Sequence, residues 1–363
     1  MRISFSACKQ APPQPLVNFR GGVVSMDPFM PWRRKDKVVI LMGATGTGKS
    51  RLSIDLATSF PAEIINSDKI QVYEGLDIVT NKVTEEECRG VPHHLLGMIR
   101  SDADFTANDF RHHATIAVES IVSRDRLPII AGGSNSFIKA LVNDEFKSRY
   151  ACCFLWVDVS FPVLHSYVSD RVDKMIESGL IDEVRQFFNP DSDDYTRGVR
   201  RAIGLPEMDE FLRAEARVDD ETRDALLEMA IYKIKGNTSL LALKQLRNIR
   251  RLRKQMEWDM HRLDATEAFL KSGSESHEAW ERRVGRPSRG IVGNFLCEED
   301  SALSTSFIKM KASSLVGAAA VSTAVAAGAG RRRAEKANCL DSEGSILHPF
   351  ALSYLVEYNM LVM

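Results

Sequence analysis

The chain carries a glycine-rich phosphate-binding loop between an apolar segment and a helical one. Residues 43–50 read GATGTGKS and match the pattern G-x-x-x-x-G-K-S. The apolar run VVILM at residues 38–42 indicates a buried strand, and residues 51–59 show helical periodicity. A strand, this type of loop and a helix in succession predict an α/β fold with a parallel sheet of the P-loop NTPase type, flanked by helices.

The loop also predicts the kind of group that it binds. Its glycines let backbone N–H groups surround an anion, and the N-terminus of the following helix attracts negative charge. Lys49 adds a charge that reaches phosphates, and the Ser50 hydroxyl is a candidate ligand for Mg²⁺. We therefore expect a ligand that carries at least a diphosphate, whose identity the loop alone leaves open. The predicted phosphate-binding residues are Gly43, Ala44, Thr45, Gly46, Thr47, Gly48, Lys49 and Ser50.

The remaining patterns divide the core into a sheet part and a helical part. Apolar segments predict three further strands, at residues 62–66, 127–131 and 154–159. Long charged segments with helical periodicity follow, at residues 163–188, 205–214, 220–234 and 238–262. We therefore expect a sheet mainly within residues 37–160 and an added helical region mainly within residues 161–296.

The two ends of the chain differ in composition from this core. Residues 1–26 contain no Asp or Glu, whereas they contain Arg2, Lys9 and Arg20 among Ser, Pro and Gly. Such a composition is typical of an organelle transit peptide, and an ordinary N-terminal segment is the alternative. Residues 318–330 are rich in Ala, Gly, Val and Ser. We expect a leader over residues 1–36, a core over 37–296 and a disordered tail over 297–363.

The overall composition excludes several classes of protein. Hydrophobic residues make up 44% of the chain and charged residues 27%, which is typical of a folded globular protein rather than a disordered or polytopic membrane one. Lys and Arg number 48 against 49 Asp and Glu, so the formal net charge is -1. A balanced charge provides no general attraction to DNA, RNA or a membrane surface. We expect neither DNA nor a membrane as a partner.

Asp68 is a candidate functional carboxylate. It follows the predicted strand at residues 62–66, and ligand sites of open α/β sheets gather at such strand ends. A carboxylate beside a phosphate loop can hold Mg²⁺ through water or accept a proton. The alternative is a helix N-cap, because Ser67 or Asp68 followed by Gln71 resembles a capping box.

Two further polar features have ordinary structural interpretations. Asp158 ends a predicted strand, and we expect it to face solvent rather than to bind a metal. A basic helix is expected to present a solvated face, with a phosphate- or RNA-binding stripe as the alternative. Its cations are Lys244, Arg247, Arg250, Arg251, Arg253 and Lys254.

Together these segments resemble the isopentenyltransferase family, which includes tRNA dimethylallyltransferases and plant adenylate isopentenyltransferases. The resemblance extends over about residues 37–296 and follows the order of the chain. Beyond the phosphate loop, it is carried by INSDKIQVYEGLDI from Ile65, VPHHLLGMI from Val91, DFTANDFRHHA from Asp104, PIIAGGSNSFIKALV from Pro128, RRAIGLPEM from Arg200 and the helix over 244–252. A generic phosphate-loop kinase would not share the SDKIQVY, PHHL and RAIG segments.

The resemblance implies a prenyl transfer reaction. In the family the loop binds the diphosphate of dimethylallyl diphosphate, and N6 of an adenine attacks the prenyl group as pyrophosphate leaves. Asp68 matches the carboxylate that takes the N6 proton, and Arg201 matches an arginine at the diphosphate. The resemblance also implies Mg²⁺ as cofactor, with Ser50 as its protein ligand. Three more residues are expected to contribute to diphosphate or nucleotide binding, namely Ser134, Asn135 and Lys244.

The acceptor implied by the resemblance is a free adenine nucleotide. Residues 132–136 read GGSNS, as in the plant free-nucleotide enzymes, where tRNA enzymes commonly have GGTG. The balanced charge and the lack of zinc-finger spacing among the cysteines agree with this expectation. We expect AMP, ADP or ATP as acceptor, a monomer and a plastid location, with the mitochondrion or cytoplasm as alternatives. A tRNA dimethylallyltransferase, or a nucleotide-binding module without prenyl transfer, are the alternative functions.

Overall fold

A computed structural model describes residues 35–297, and their core is a six-stranded parallel sheet. The strand order is β3-β2-β4-β1-β5-β6, and every neighbouring pair is parallel. Helices cover both faces of parallel sheets, so the central strands read as continuous apolar runs. The strands are β1 (Asp36–Gly43), β2 (Ala62–Asn66), β3 (His93–His94), β4 (Leu127–Gly132), β5 (Tyr150–Asp158) and β6 (Met260–Asp264).

Eleven α-helices connect and flank these strands within the described residues. They are α1 (Lys49–Ser59), α2 (Glu85–Cys88), α3 (Ala107–Val122), α4 (Asn135–Leu141), α5 (Asp144–Arg149), α6 (Phe161–Glu177), α7 (Leu180–Phe187), α8 (Leu205–Ala214), α9 (Asp220–Gln255), α10 (Thr266–Phe269) and α11 (Gly273–Trp280). A 3₁₀ turn occupies Gly198–Arg201. After α11 the chain forms a π turn at Glu281–Gly285 and stays helical over residues 286–297.

The α/β fold with its parallel sheet and added helices is confirmed, and the strand expected at residues 62–66 has the observed bounds. The segment expected as one helix over 163–188 is instead two helices. Gly179 separates them with a φ of 101°, a conformation that glycine adopts readily. In the other direction, the segments expected over 220–234 and 238–262 form the single 36-residue helix α9, which ends at Gln255.

Strand β6 lies in a region where the sequence pattern predicts a helix, and that part of the prediction is wrong. Glu257 has a φ of 50°, which interrupts helical geometry after α9. Met260 and Leu263 are then buried against the edge of the sheet. Short edge strands of this kind depend on a neighbouring strand that is distant in sequence, so local periodicity does not reveal them.

The expectation that Asp158 faces solvent is also wrong. Its side chain is 3% exposed, and it accepts a hydrogen bond from Arg262 Nε at 2.7 Å. Strand β6 pairs with β5 and places Arg262 beside the carboxylate. Asp158 is therefore part of a structural ion pair at this edge of the sheet.

The expected leader and tail lie outside the described residues, except for Lys35, Asp36 and Cys297. Within residues 35–297, no helix is both long enough and apolar enough to cross a lipid bilayer.

Candidate active site

A large cleft opens at the carboxyl ends of the central strands, where open α/β sheets bind their ligands. Its volume is about 1280 Å³. One side, which we call the sheet wall, consists of the loops that follow β1, β2 and β4, at residues 43–50, 67–70 and 132–134. A second group of lining residues, which we call the helical wall, comes from α6, the 3₁₀ turn at Gly198–Arg201 and the middle of α9, and residues between 71 and 97 complete the lining. The expected phosphate loop, carboxylate and arginine therefore meet in one place.

The phosphate loop has the backbone geometry that its sequence predicts. Gly46 and Gly48 have φ values of 81° and 88°, which L side chains rarely adopt. Thr45, Gly46, Gly48, Lys49 and Ser50 line the cleft, and Ser50 is exposed there. Helix α1 begins at Lys49, so its N-terminal N–H groups lie at the cleft.

Lys49 and Thr47 hold the loop together in different ways. Lys49 Nζ donates to the carbonyl of Ala44 at 2.6 Å while its side chain lines the cleft. Burial lowers the pKa of the Lys49 amino group to about 8; the nearby Asp68 carboxylate opposes this shift and Arg171 adds to it. Thr47 is fully buried, and its hydroxyl donates to the same Ala44 carbonyl at 2.9 Å. The side chain of Thr47 therefore supports the loop from inside.

Asp68 lies in a turn directly after β2 and lines the cleft. Its Oδ1 accepts a hydrogen bond from Ile70 N at 2.9 Å, and its own N–H donates to Asn66 Oδ1 at 3.2 Å. The first helix after β2 begins only at Glu85, so the helix N-cap alternative is wrong. Asp68 and Lys49 are close enough to interact electrostatically. The turn therefore holds the carboxylate beside the phosphate loop.

Ser134 and Asn135 connect the Asp68 turn to the helical wall. Ser134 Oγ accepts a hydrogen bond from Lys69 N at 2.9 Å, which links the loops after β2 and β4. Ser134 lines the cleft. Asn135 Nδ2 donates instead to the carbonyl of Gln245 on α9 at 3.1 Å. The structure thus places Ser134 at the cleft surface and Asn135 at the junction behind it.

Arg201 reaches the cleft from the 3₁₀ turn. Its Nη2 donates to the hydroxyl of the buried Tyr73 at 3.0 Å, and its Nε donates to the carbonyl of Gly198 at 3.2 Å. Two anchors on one guanidinium fix its direction, and the remaining N–H groups are available to an anion. The position of Arg201 suits the diphosphate-binding role that the resemblance implies.

Lys244 lies outside the group of residues that line the cleft. It is exposed on α9, as are the other five cations of the basic helix. Leu246 and Ile249 on the opposite side of α9 are buried, which matches the expected division into a solvated and a packed face.

Arg171 is a cleft residue that the sequence patterns do not reveal. It lies on α6, and its Nη2 donates to Thr45 Oγ1 at 3.0 Å. Its Nε is buried without a hydrogen-bond partner among residues 35–297, and burial lowers the pKa of its guanidinium. A cation that is partly desolvated beside a phosphate loop gains a partner when an anion binds. Arg171 is one of several charged residues on a charged helix, so no local signal distinguishes it.

Gln245 is the second cleft residue that the sequence patterns do not reveal. It is 8% exposed on α9, and its Oε1 accepts a hydrogen bond from the backbone N–H of Thr45 at 2.7 Å. The contact joins residues that are 200 positions apart in the chain. Gln245 lies among the basic residues of α9. The charge pattern there predicts roles for the exposed cations and gives no signal for an uncharged residue.

The cleft has no preformed metal site made of protein ligands alone within residues 35–297. The described residues contain no group of three or more His, Cys, Asp or Glu side chains that could hold one. Ser50 of the phosphate loop and Asp68 after β2 line the cleft and provide a hydroxyl and a carboxylate, and further carboxylates line it within residues 74–87. Mg²⁺ commonly uses one or two protein oxygens together with water and substrate phosphates, so this small set fits a diphosphate-bound Mg²⁺.

Comparison with known proteins identifies the family of this chain. The model of the IPP transferase family matches residues 71–149 and 142–252. "Adenylate isopentenyltransferase 5, chloroplastic" of Arabidopsis thaliana is 65% identical over 292 residues, covering 79% of this chain and 88% of the relative. "Adenylate isopentenyltransferase 7, mitochondrial" of the same plant is 52% identical, covering 81% and 90% of the two chains.

A solved structure shares the fold. It is a eukaryotic dimethylallyltransferase acting on tRNA, with a TM-score of 0.63 over 73% of this chain and 80% of that one. The sequence identity is 24%, so the likeness concerns the fold alone.

Proposed function

Because this chain belongs to the IPP transferase family and is an isopentenyltransferase, we propose that it transfers the dimethylallyl group of dimethylallyl diphosphate to N6 of a free adenine nucleotide, with release of pyrophosphate. One observation carries the proposal. The phosphate loop, Asp68 and Arg201 line a single cleft in a chain that is 65% identical to an adenylate isopentenyltransferase. The product would be an N6-isopentenyladenine nucleotide, the first intermediate in cytokinin biosynthesis.

The donor diphosphate binds at the phosphate loop. Helix α1 begins at Lys49, and Lys49 and Arg201 both line the cleft. The dimethylallyl group then extends from the diphosphate toward Asp68. These cations oppose the negative charge that grows on the diphosphate as the C1–O bond breaks, and such preorganised charge lowers the barrier of the reaction.

Asp68 acts on the acceptor. The exocyclic amine of adenine is a weak nucleophile because its lone pair is delocalised into the ring. A carboxylate that accepts a hydrogen bond from N6–H raises the electron density on nitrogen and then takes the proton as the N6–C1 bond forms. The hydrogen bond from Ile70 N to Asp68 Oδ1 orients the carboxylate for this task.

Mg²⁺ is the proposed cofactor, with Ser50 as its protein ligand and the donor diphosphate supplying further oxygens. When bound, it neutralises charge on the diphosphate. Lys49 and Ser50 are neighbours at the start of α1, so the loop can bind the donor diphosphate and hold the metal ion at the same place.

The proposed acceptor is AMP, ADP or ATP rather than an adenine within tRNA. The relatives at 65% and 52% identity are named as adenylate enzymes, whereas the tRNA enzyme is related at 24% identity. We further propose a plastid location, because one of these relatives is chloroplastic and the acid-poor leader over residues 1–36 suits import; the mitochondrial relative provides the alternative. The working unit is proposed to be a monomer.

The test is a competition between acceptors. Purified protein is incubated with Mg²⁺, radiolabelled dimethylallyl diphosphate and equal concentrations of ADP and an adenine-containing anticodon stem-loop. We expect label in the nucleotide, and parallel assays with AMP and ATP rank the three nucleotides. Faster labelling of the stem-loop would instead establish a tRNA dimethylallyltransferase. Tight ATP binding without any prenyl transfer would establish a nucleotide-binding module.

A further inference from the structure

Trp280 packs directly on the phosphate loop from outside the cleft. Its side chain is almost completely buried, with 1% of the residue exposed. A Cβ added to Gly48 would lie 2.6 Å from Cη2 and 2.8 Å from Cζ3 of the indole. The benzene ring of Trp280 therefore lies against the backbone of Gly48, one residue before Lys49. Gly48 is needed both for its positive φ and for the space that the indole occupies.

Two contacts hold the indole in this place, and a third joins its helix to Arg51. Its Nε1 donates to Asp55 Oδ2 on α1 at 3.3 Å, and the Arg51 guanidinium lies 4.5 Å from the ring centroid. Arg51 Nη2 is also 3.0 Å from Nδ1 of His277, one turn before Trp280. These contacts join α1 to the C-terminal helix, by which we mean α11, the π turn and the helical residues 286–297. This helix lies beyond the segment matched by the family model.

The C-terminal helix is itself fixed to the sheet. The π turn at Glu281–Gly285 follows Trp280 directly, and such turns are frequent at functional sites because they change the direction of side chains within a helix. Val284 and Val292 are fully buried further along. Near the described end of the helix, Lys37 Nζ of β1 donates to the carbonyl of Leu296 at 2.8 Å. The indole therefore belongs to a helical segment that is anchored at the start of β1 and at the loop that follows β1.

We propose that Trp280 is a positioning residue for donor binding, which holds Gly48 so that the N–H groups of the phosphate loop face the diphosphate. This inference rests on the proposed function, because the diphosphate is that of the prenyl donor. Fixing the backbone of a residue costs conformational entropy, and a loop that is already held avoids this cost on binding. Trp280 is not among the residues that line the cleft, so we expect it to act through the loop and the donor diphosphate alone.

The proposal is tested with Trp280→Phe and Trp280→Leu. We expect the KM for dimethylallyl diphosphate to rise roughly fivefold in W280F and tenfold or more in W280L, since about 1.4 kcal/mol corresponds to a tenfold change in affinity. The KM for the nucleotide and the kcat should stay within about twofold of the wild type. Trp258→Phe is the matched control, because Trp258 is also buried but stacks on Phe154 at a centroid distance of 4.7 Å.

Tryptophan fluorescence provides a second measurement that needs no catalysis. Titration of the wild type with inorganic pyrophosphate and Mg²⁺ should change the emission, and this change should be lost in W280F and kept in W258F. Unchanged donor KM and an unchanged titration in W280F would overturn the proposal, as would an equal rise of both KM values. If the wild type transfers no prenyl group at all, the proposed function fails, while the titration still decides whether Trp280 senses the diphosphate.

Discussion

The sheet wall and the helical wall of the cleft supply their polar groups in different ways. On the sheet wall, short stretches of neighbouring residues present backbone N–H groups, Lys49, Ser50 and Asp68 directly after strands. On the helical wall, single long side chains reach in from separate elements: Arg171 from α6, Arg201 from the 3₁₀ turn and Gln245 from α9. The sheet wall is thus built by local sequence, and the helical wall by the packing of distant helices.

The two walls meet at Thr45. Its N–H donates to Gln245 Oε1, and its hydroxyl accepts from Arg171 Nη2, so both helices contact one residue of the phosphate loop. In the proposed reaction, the sheet wall supplies Asp68 and the phosphate loop. The helical wall supplies Arg201 and holds Thr45 of that loop through Arg171 and Gln245.

The largest effect is expected for Asp68→Asn on the sheet wall. The amide can still accept the hydrogen bond from Ile70 N, but it cannot take the N6 proton. We expect kcat to fall about 10²–10⁴-fold, with donor KM and thermal stability close to those of the wild type. Steady-state kinetics measure kcat and the donor KM, and thermal unfolding measures the stability. Activity near the wild-type level would remove Asp68 from its proposed role.

A smaller effect is expected for Arg171→Gln on the helical wall. The substitution keeps a hydrogen-bond donor near Thr45 Oγ1 and removes the partly desolvated charge. A charge-assisted hydrogen bond contributes about 1.5–3 kcal/mol, so donor affinity should fall roughly tenfold or somewhat more. Calorimetric titration with pyrophosphate and Mg²⁺ checks this, and Arg171→Lys should recover part of the loss. If R171Q binds pyrophosphate as the wild type does, the helical wall does not contribute to the anion site.

A still smaller effect on turnover is expected for Gln245→Leu. The loss of Oε1 leaves the Thr45 N–H without its partner on α9, and an unsatisfied buried donor costs about 1–3 kcal/mol. Most of this cost should appear as a lower unfolding free energy in denaturant titration, with a donor KM raised only about two- to fivefold. Loss of kcat without loss of stability would show that Gln245 acts on the chemistry instead of on the contact between the walls.

The smallest effect is expected for Lys244→Ala. The resemblance implies a role for Lys244 in binding, whereas its side chain is exposed on α9 and is not part of the cleft lining. Removing one exposed charge should change donor and acceptor KM by less than about twofold. A larger increase in the nucleotide KM would mean that the acceptor phosphates extend along α9, and the boundary of the helical wall would move accordingly.

The residues of the two walls also differ in how far the sequence predicts them. The phosphate loop could be predicted because its strand, glycines, lysine and helix are adjacent in the chain. Asp68 could be predicted as a candidate because carboxyl ends of parallel strands gather at one edge of the sheet. Arg171 and Gln245 could not, because each is defined by a contact across 126 or 200 residues of sequence.

Dependence on distant contacts also explains why the sequence did not predict β6, the burial of Asp158 or the full length of α9. Strand β6 and the burial of Asp158 both depend on the pairing of β5 with a segment about 100 residues further along. Helix α9 continues through Lys235, Gly236 and Asn237, although glycine inside a helix costs about 1 kcal/mol relative to alanine. Packing of α9 against α6 and α8 offsets that cost, and local propensity contains no information about such packing.

By itself, the sequence determined the fold class, the phosphate loop, the candidate base and membership of an isopentenyltransferase family, because each is encoded in short stretches whose residues act together. The tertiary structure decided which cations face the cleft, how the loop is held from α9 and α6, and that Trp280 packs on Gly48 from the C-terminal helix. These contacts join residues far apart in the chain, and only the folded packing of helices against the sheet brings them together.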